Sequence, residues 1–567
     1  MSTFRAGFRS GRSRRARSGS TRGRARTFHS SGRPTTTRPI RPGNRASSAG
    51  STSRPTTSPA ACSVRPAVRT HGPSRSACTP GGSASVRRVF LGIDCGTQST
   101  KVVLRDQTRD EVVAVGRAPH EIVERDDGTR EQDPAWWIDA LRAAVRDAVR
   151  GELFEIGGIG VSGQQHGLVC LDQGDRPVRP AKLWNDTTTA AECDELTRKL
   201  GGAHRVLELV GNLMLPGYTA PKIAWLAAHE PESYARTVRM CLPHDYLNLW
   251  LTGHFVTEYG DASGTAYFDV RSRRYSEVVL GAIDERRDWK RTLPAVAPSI
   301  GVVGTLRREA AEALGLDAGI AVSAGGGDNM CAAIGCDIVA AGPVAVSLGT
   351  SGTVFAYRAE PAVDPLGEAA AFCDSTGGWL PLAATLNCTS ATEWARELFA
   401  MSHTEVDAAV AQSGRPGPVF LPYLSGERTP NRPQAAGILT GLRPDHGRDT
   451  IVRAVFEGVT FGLAYGLDAL RRAGVAPAEV TLIGGGSASD AWAQLCADVF
   501  ALPVTRPGIV EAAASGAARQ AQWAVEGKLP ELPRTSSRRF EPRRRPELRE
   551  TAERIAALRE IAGTNRL

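Results

Sequence analysis

One motif occurs twice in this chain, and that repeat constrains the fold more than any other feature. Val89-Phe-Leu-Gly-Ile93 runs into Asp94-Cys-Gly-Thr-Gln-Ser-Thr-Lys101 and then Val102-Val-Leu104. Val344-Ala-Val-Ser-Leu348 runs into Gly349-Thr-Ser-Gly-Thr353 and then Val354-Phe-Ala-Tyr357. Each reads as a short buried strand, a tight polar turn and a second strand. Superposing Gly96-Thr97 on Gly349-Thr350 sets the two hairpins 253 residues apart. A repeat at that distance predicts two similarly built domains, each offering one Gly-Thr turn to a common cleft. The length agrees, because 567 residues exceed what a single core normally supports.

Facing hairpins of this kind suit a phosphate clamp. Glycine lets backbone N–H groups come close to an anion, and the hydroxyls of Thr97, Thr350 and Ser351 add donors. A single such turn is weak evidence; two of them with a carboxylate ending the first strand is stronger. Asp94 is placed to hold Mg2+, through water, since this ion keeps much of its hydration shell. In Gly325-Gly-Gly-Asp328-Asn329 a strand over Ile320–Ala324 leads into a helix, so Asp328 is expected at a helix N-terminus. An isolated Asp there is usually a cap. Three glycines before it clear the approach to the carboxylate, as a reacting alcohol would require, and an ionised Asp can take the alcohol's proton. Ser162-Gly-Gln-Gln165-His166-Gly167 follows another predicted strand and suits a polyhydroxylated ligand. Leu183-Trp184-Asn-Asp186 adds an aromatic face for sugar C–H groups, with an amide and a carboxylate for hydroxyls. Gly484-Gly485-Gly486-Ser487, between strand and helix, can lie against adenosine but is unspecific alone.

The net charge of +9 divides unevenly. Residues 1–86 hold 17 Arg, no Lys and no acidic residue. Removing those 17 from the 69 basic residues leaves 52 against 60 acidic, a net of −8, so the body gives a nucleic-acid partner no support. The leader is Ser, Arg, Thr, Pro and Gly, a composition that predicts disorder. Its expected origin is a start assigned upstream of the true one, with a non-AUG codon at Val86 or Val89. An organelle transit peptide is the second reading. The most apolar stretch, Ala318–Gly349, is interrupted by Asp328, Asn329 and Asp337, so no membrane span is expected. The 11 cysteines form no CxxC pair, which reads as reduced thiols in a cytoplasmic protein.

Taken in order, these segments resemble the FGGY carbohydrate kinases, and within them the xylulokinase branch. The resemblance covers about 89–530. It rests on Gly92-Ile-Asp-Cys-Gly-Thr97, the Ser162–Gly167 loop, Leu183–Asp186, Gly325–Asn329, Ser347–Ser351, Phe420–Pro430 and Gly484–Ser487. It implies an α/β fold of two ribonuclease-H-like domains, of the actin-like ATPase and sugar kinase type, around a central cleft. The expected divisions are a leader over 1–86, a sugar-binding domain over 87–335, a nucleotide-binding domain over 336–535, and a closing helix with a tail over 536–567. The implied reaction is ATP-dependent phosphorylation of D-xylulose to D-xylulose 5-phosphate, with ATP and Mg2+ required. Another pentulose or polyol kinase of the family is the nearest alternative, and a non-catalytic sugar- or nucleotide-binding protein on the same scaffold is the second. Asp328 matches the family's catalytic base, and Gln165 and His166 match its ketose-binding pair. Trp184, Asp186, Asp328 and Asn329 complete the expected sugar site. Gly96, Thr97, Gln98, Gly349, Thr350, Ser351, Gly485 and Gly486 fall in the nucleotide loops, and Asp94 matches the metal-associated aspartate. Dimers are common in the family, so a homodimer is the implied assembly. One departure stands out. The family loop usually reads Gly-Gln-Met-His-Gly, and Gln165 here replaces the methionine, a polar group beside the sugar in place of an apolar one.

Overall fold

The computed structural model describes residues 86–109, 111–151, 153–412, 417–532 and 537–563. The arginine-rich leader, up to residue 85, lies outside the described residues. The first hairpin forms as its pattern predicts. Strands β1 (Arg87–Cys95) and β2 (Ser99–Asp106) pair antiparallel with Asp94 opposite Lys101. Val89, Leu91 and Ile93 face one way and Phe90 the other, and all are buried, so this sheet must be covered on both faces. After β3 (Val112–Pro119), helix α1 (Pro134–Ala148) covers the first face with Trp137, Leu141 and Val145. Asp133 caps its start by accepting from Ala135 N at 2.9 Å, and Pro134 is the first helical residue.

Strand β4 (Phe154–Gly163) runs parallel to β1 and sets Ser162 beside Asp94. A long excursion of helices and short strands follows, including α2 (Pro243–Thr252). The chain then returns through β5 (Val302–Thr305), β6 (Ala321–Ser323) and the short β7 (Gly326–Gly327) into α3 (Asp328–Gly335). The sheet order is β5-β6-β4-β1-β2-β3, with β7 on the end of β4.

The second sheet repeats this plan. Strands β8 (Pro343–Leu348) and β9 (Gly352–Ala356) form the second hairpin, followed by β10 (Ala370–Cys373) and β11 (Trp379–Thr385). Helix α4 (Arg448–Arg472) starts after Gly447 at its cap, with Asp449 in its first turn. It is long and apolar enough to cross a membrane, but 67% of its most apolar window is buried, and it packs on β9 and β11. It is therefore the core helix of this lobe. Then come β12 (Glu479–Ile483), α5 (Asp490–Phe500), β13 (Val504–Arg506), α6 (Ala512–Glu526), β14 (Arg538–Phe540) and α7 (Pro546–Gly563). The sheet order is β10-β11-β9-β8-β12-β13-β14. In both sheets an antiparallel hairpin is followed by two parallel neighbours and a final antiparallel edge strand.

Helix α6 does not stay with the second sheet. It packs on β1 and β4 of the first, burying Ala514, Ala518 and Ala521 against Phe90 and Val103. It also crosses α3, whose Met330 and Ala333 pack against Phe355 and Phe372 of the second lobe. The two lobes are thus joined by a pair of crossing helices, and the cleft lies in front of that crossing.

Candidate active site

Asp328 is the first residue of α3, preceded by Gly327 at the cap position. The turn that presents it is pinned from beneath. His244 and Asn248 of α2 both reach the Ala324 carbonyl, at 2.8 Å each. The Gln520 side chain on α6 accepts from Gly325 N at 2.9 Å and donates to the Gly325 carbonyl at 2.8 Å. His244 Nδ1 meanwhile faces Asp261 Oδ2 at 3.0 Å and Asp245 Oδ1 at 3.2 Å. One ring nitrogen donates to a carbonyl and the other faces two carboxylates, so the buried ring is an imidazolium. Burial opposes that charge, but Asp245 and Asp261 outweigh it and hold the imidazole well above its usual range.

The Asp328 carboxyl accepts from Asn329 N at 2.7 Å and from Asn329 Nδ2 at 2.8 Å. Burial, with the charge of Asp94, nevertheless pushes it up to about 7. Asp94 is itself raised by burial, an effect that Lys101 and the 3.1 Å hydrogen bond from Ser162 Oγ moderate. Lys101 Nζ lies 3.9 Å from Asp94 and 2.9 Å from Glu511. Asp94, Gly96, Lys101, Gly485 and Glu511 line one cavity with Asp328, Asn329 and Ser347. Two mutually repelling carboxylates beside an open space are oxygen donors suited to a hard divalent cation, so the residues present fit Mg2+.

A second cavity of about 380 Å³ opens on the other side of Asp328, Asn329 and Ser347. Gln165, His166, Trp184, Tyr218 and Arg428 line it. Asn329 Nδ2 links Asp328 to Gln165 Oε1 at 3.1 Å, while Gln165 Nε2 is buried and has no partner among the described residues. The His166 ring packs on Tyr218 and Phe372, with centroids 4.7 and 5.7 Å away. Burial first, then the Lys222 and Arg428 cations, pull this imidazole well below its usual range, so it is neutral. Trp184 Nε1 donates to Thr97 Oγ1 at 3.0 Å, which ties the first hairpin turn to the second cavity.

Most of the expected residues meet here, with some corrections. Asp186 was expected to bind sugar, but it lies outside both cavities, fully buried. Its oxygens accept from Arg130 N at 2.9 Å, Lys182 Nζ at 3.1 Å and Thr188 N at 3.1 Å, which leaves none for a ligand. Gln98 is exposed on the turn, and its carbonyl accepts from His120 N at 3.1 Å. Gly485 faces open space, whereas a Cβ on Gly486 would meet Trp492 at 2.7 Å, so Gly486 packs inward. Ser351 lines the second cavity; Gly349 and Thr350 lie in its hairpin turn, their carbonyls accepting from Thr389 N and Ser390 N. Lys101, Ser347, Tyr218 and Arg428 were not singled out. Of these, Ser347 could have been found, because it occupies in the second hairpin the place of Asp94 in the first.

Two family models match the chain: the N-terminal domain of the FGGY family of carbohydrate kinases over residues 89–335, and its C-terminal domain over 344–525. The chain is an FGGY carbohydrate kinase. The kinase is 42% identical over 452 residues to the xylulose kinase of Haemophilus influenzae, covering 78% of this chain and 92% of that one. It is 40% identical over 458 residues to the xylulose kinase of Escherichia coli, covering 78% and 93%. Its fold matches the crystal structure of a xyloylose kinase from Brucella ovis with a TM-score of 0.78 at 35% identity, covering 84% and 99%. As a member of this family the kinase uses ATP to phosphorylate a carbohydrate.

Proposed function

We propose that this kinase transfers the γ-phosphoryl group of ATP to the terminal hydroxyl of D-xylulose, giving D-xylulose 5-phosphate and ADP. The observation that carries the reading is the shared wall: Asp328, Asn329 and Ser347 border both cavities, so one carboxylate can face an alcohol on one side and a triphosphate on the other. The sugar named is that of the relatives at 42% and 40% identity.

Gln165, His166 and Trp184 hold the ketose, with Asn329 fixing the Asp328 carboxyl and contacting the same substrate. Gly96 and Thr97 of the first hairpin, Gly349, Thr350 and Ser351 of the second, and Gly485 border the triphosphate. Mg2+, held at Asp94 through water, would neutralise phosphate charge. Lys101 adds a cation beside Asp94. Asp328 accepts the proton of the attacking hydroxyl, and its raised pKa suits a base working near neutral pH. The bond that forms joins the sugar oxygen to the γ-phosphorus; the bond that breaks releases ADP.

The test is ADP release over a panel of pentuloses and polyols, with wild type and Asp328→Ala. Wild type is expected to turn over D-xylulose fastest. The variant is expected to lose orders of magnitude in kcat while still binding ATP. Near-normal turnover without this carboxylate would refute the assignment.

A further inference from the structure

The second lobe sends two arginines into the ketose cavity, Arg428 and Arg432, and Arg432 Nη1 donates to the Asn431 carbonyl at 3.0 Å. Arg428 lies in the segment after strand Val419–Leu421, and its guanidinium stands 5.5 Å from the Trp184 ring. It lines the cavity together with Trp184, Tyr218 and His166, which come from the first half of the chain. Among the described residues no acceptor binds this guanidinium. Neighbouring Glu427 turns its oxygens elsewhere, to Leu386 N at 2.6 Å, Arg428 N at 2.8 Å and Asn387 Nδ2 at 3.2 Å. The nearby Lys222 ammonium, itself a pure donor, engages the His166 carbonyl at 2.8 Å and the Gly217 carbonyl.

A guanidinium offers five donors and no acceptor; Arg428 is half-buried, so a ligand that enters the cavity displaces the water at those donors, and leaving them unmatched is then costly. The ligand must therefore bring oxygens to this end of the cavity. The reacting end is elsewhere along the wall. Asp328 is bridged by Asn329 to Gln165, the next residue is His166, whose ring packs on Tyr218, and Arg428 lines the same cavity over the Trp184 ring.

We infer that Arg428 is a specificity-determining residue: from the second lobe it donates to the C2 ketone oxygen and C1 hydroxyl of an acyclic ketose whose far hydroxyl faces Asp328. The inference rests on the ketose reading above. A ketone oxygen only accepts, so it meets a pure donor without reorientation. The corresponding polyol presents a hydroxyl whose own proton must be turned away and placed elsewhere in the cavity. The polyol hydroxyl can still accept from the guanidinium, so the preference comes from the cost of placing its proton and is a modest one.

The experiment compares wild type with Arg428→Met and Arg428→Lys, using D-xylulose, D-arabinitol and ATP as varied substrates, with melting temperature recorded for each. Arg428→Met is expected to raise the KM for D-xylulose about 10- to 100-fold, the loss typical of a hydrogen bond to a charged donor. The KM for ATP should stay within about threefold, and the ketose-to-polyol ratio of kcat/KM should fall about tenfold. Arg428→Lys, which keeps the charge and fold, should recover part of the ketose preference. An unchanged D-xylulose KM and ratio in the lysine variant and the methionine variant overturns the inference. So does a parallel rise in both KM values, which would mark a structural role. Wild type inactive on every ketose would instead overturn the functional reading, and this inference with it.

Discussion

At Asp328 two influences act in the same direction. Burial and the Asp94 charge both disfavour the carboxylate, and the two Asn329 bonds offset them only in part. A group raised from an ordinary carboxylate value to about 7 holds its proton in the folded chain where the unfolded chain has released it. Its contribution to stability is therefore present at low pH and is lost as pH rises from about 4 to 7. Asp328→Asn removes this dependence. Without nucleotide or Mg2+, the stability of the variant relative to wild type should increase by about 2 kcal/mol between pH 5 and pH 8. Urea unfolding at the two pH values measures it; an unchanged difference would mean that the carboxyl is not raised. The residue scale also marks where sequence reading failed. Asp186 resembled a sugar ligand because it adjoins Trp184. Lys182, four residues earlier, was the available sign that it serves an internal ion pair instead.

At the scale of elements, the hairpins were legible because a continuous apolar run and a Gly-Thr turn are local properties of the chain. The start of α1 was legible for the same reason, since Asp133 and Pro134 act within one turn. Helix α6 was not. Its small-residue face, with Ala514, Ala517, Ala518 and Ala521, specifies close packing but not the sheet it packs on, and chain order suggested the second lobe. What fixes it is the crossing with α3. A Cβ on Gly516 would stand 1.7 Å from the Cys331 carbonyl oxygen, and one on Gly335 would stand 2.1 Å from that of Ala512. Backbone meets backbone there, so nothing flexible can yield. Gly516→Ala should cost about 1–3 kcal/mol by forcing the helices apart. It should also lower kcat, because Asp328 begins α3 and Gln520, one turn beyond Gly516, pins the turn before it. Thermal melting and turnover measured together check this; a variant that loses neither would show that the crossing tolerates a methyl group.

At the scale of the molecule, two sheets of matching strand order face one cleft, but the halves are not equivalent. The penultimate residue of the leading strand is Asp94 in the first hairpin and Ser347 in the second, so the duplicated frame carries one carboxylate at this place rather than two. The repeat could be read from the sequence because it preserves pattern; the asymmetry of the ligand sites could not, because it depends on loops folded from both halves. The nucleotide-side cavity joins Asp94 and Lys101 to Gly485 and Glu511. The ketose-side cavity joins Gln165 and Trp184 to Glu368 and Arg428. On the proposed function each ligand touches both halves, and a first ligand that orders them would lower the cost of binding the second. Binding should consequently be cooperative. Saturating D-xylulose is expected to tighten a non-hydrolysable ATP analogue by about 5- to 150-fold, and the analogue must tighten D-xylulose by the same factor. Isothermal titration in the four combinations measures both legs of the cycle. A factor of one would mean that the two halves are already fixed in the free protein, and that the crossing of α3 and α6 acts as a rigid strut rather than a joint.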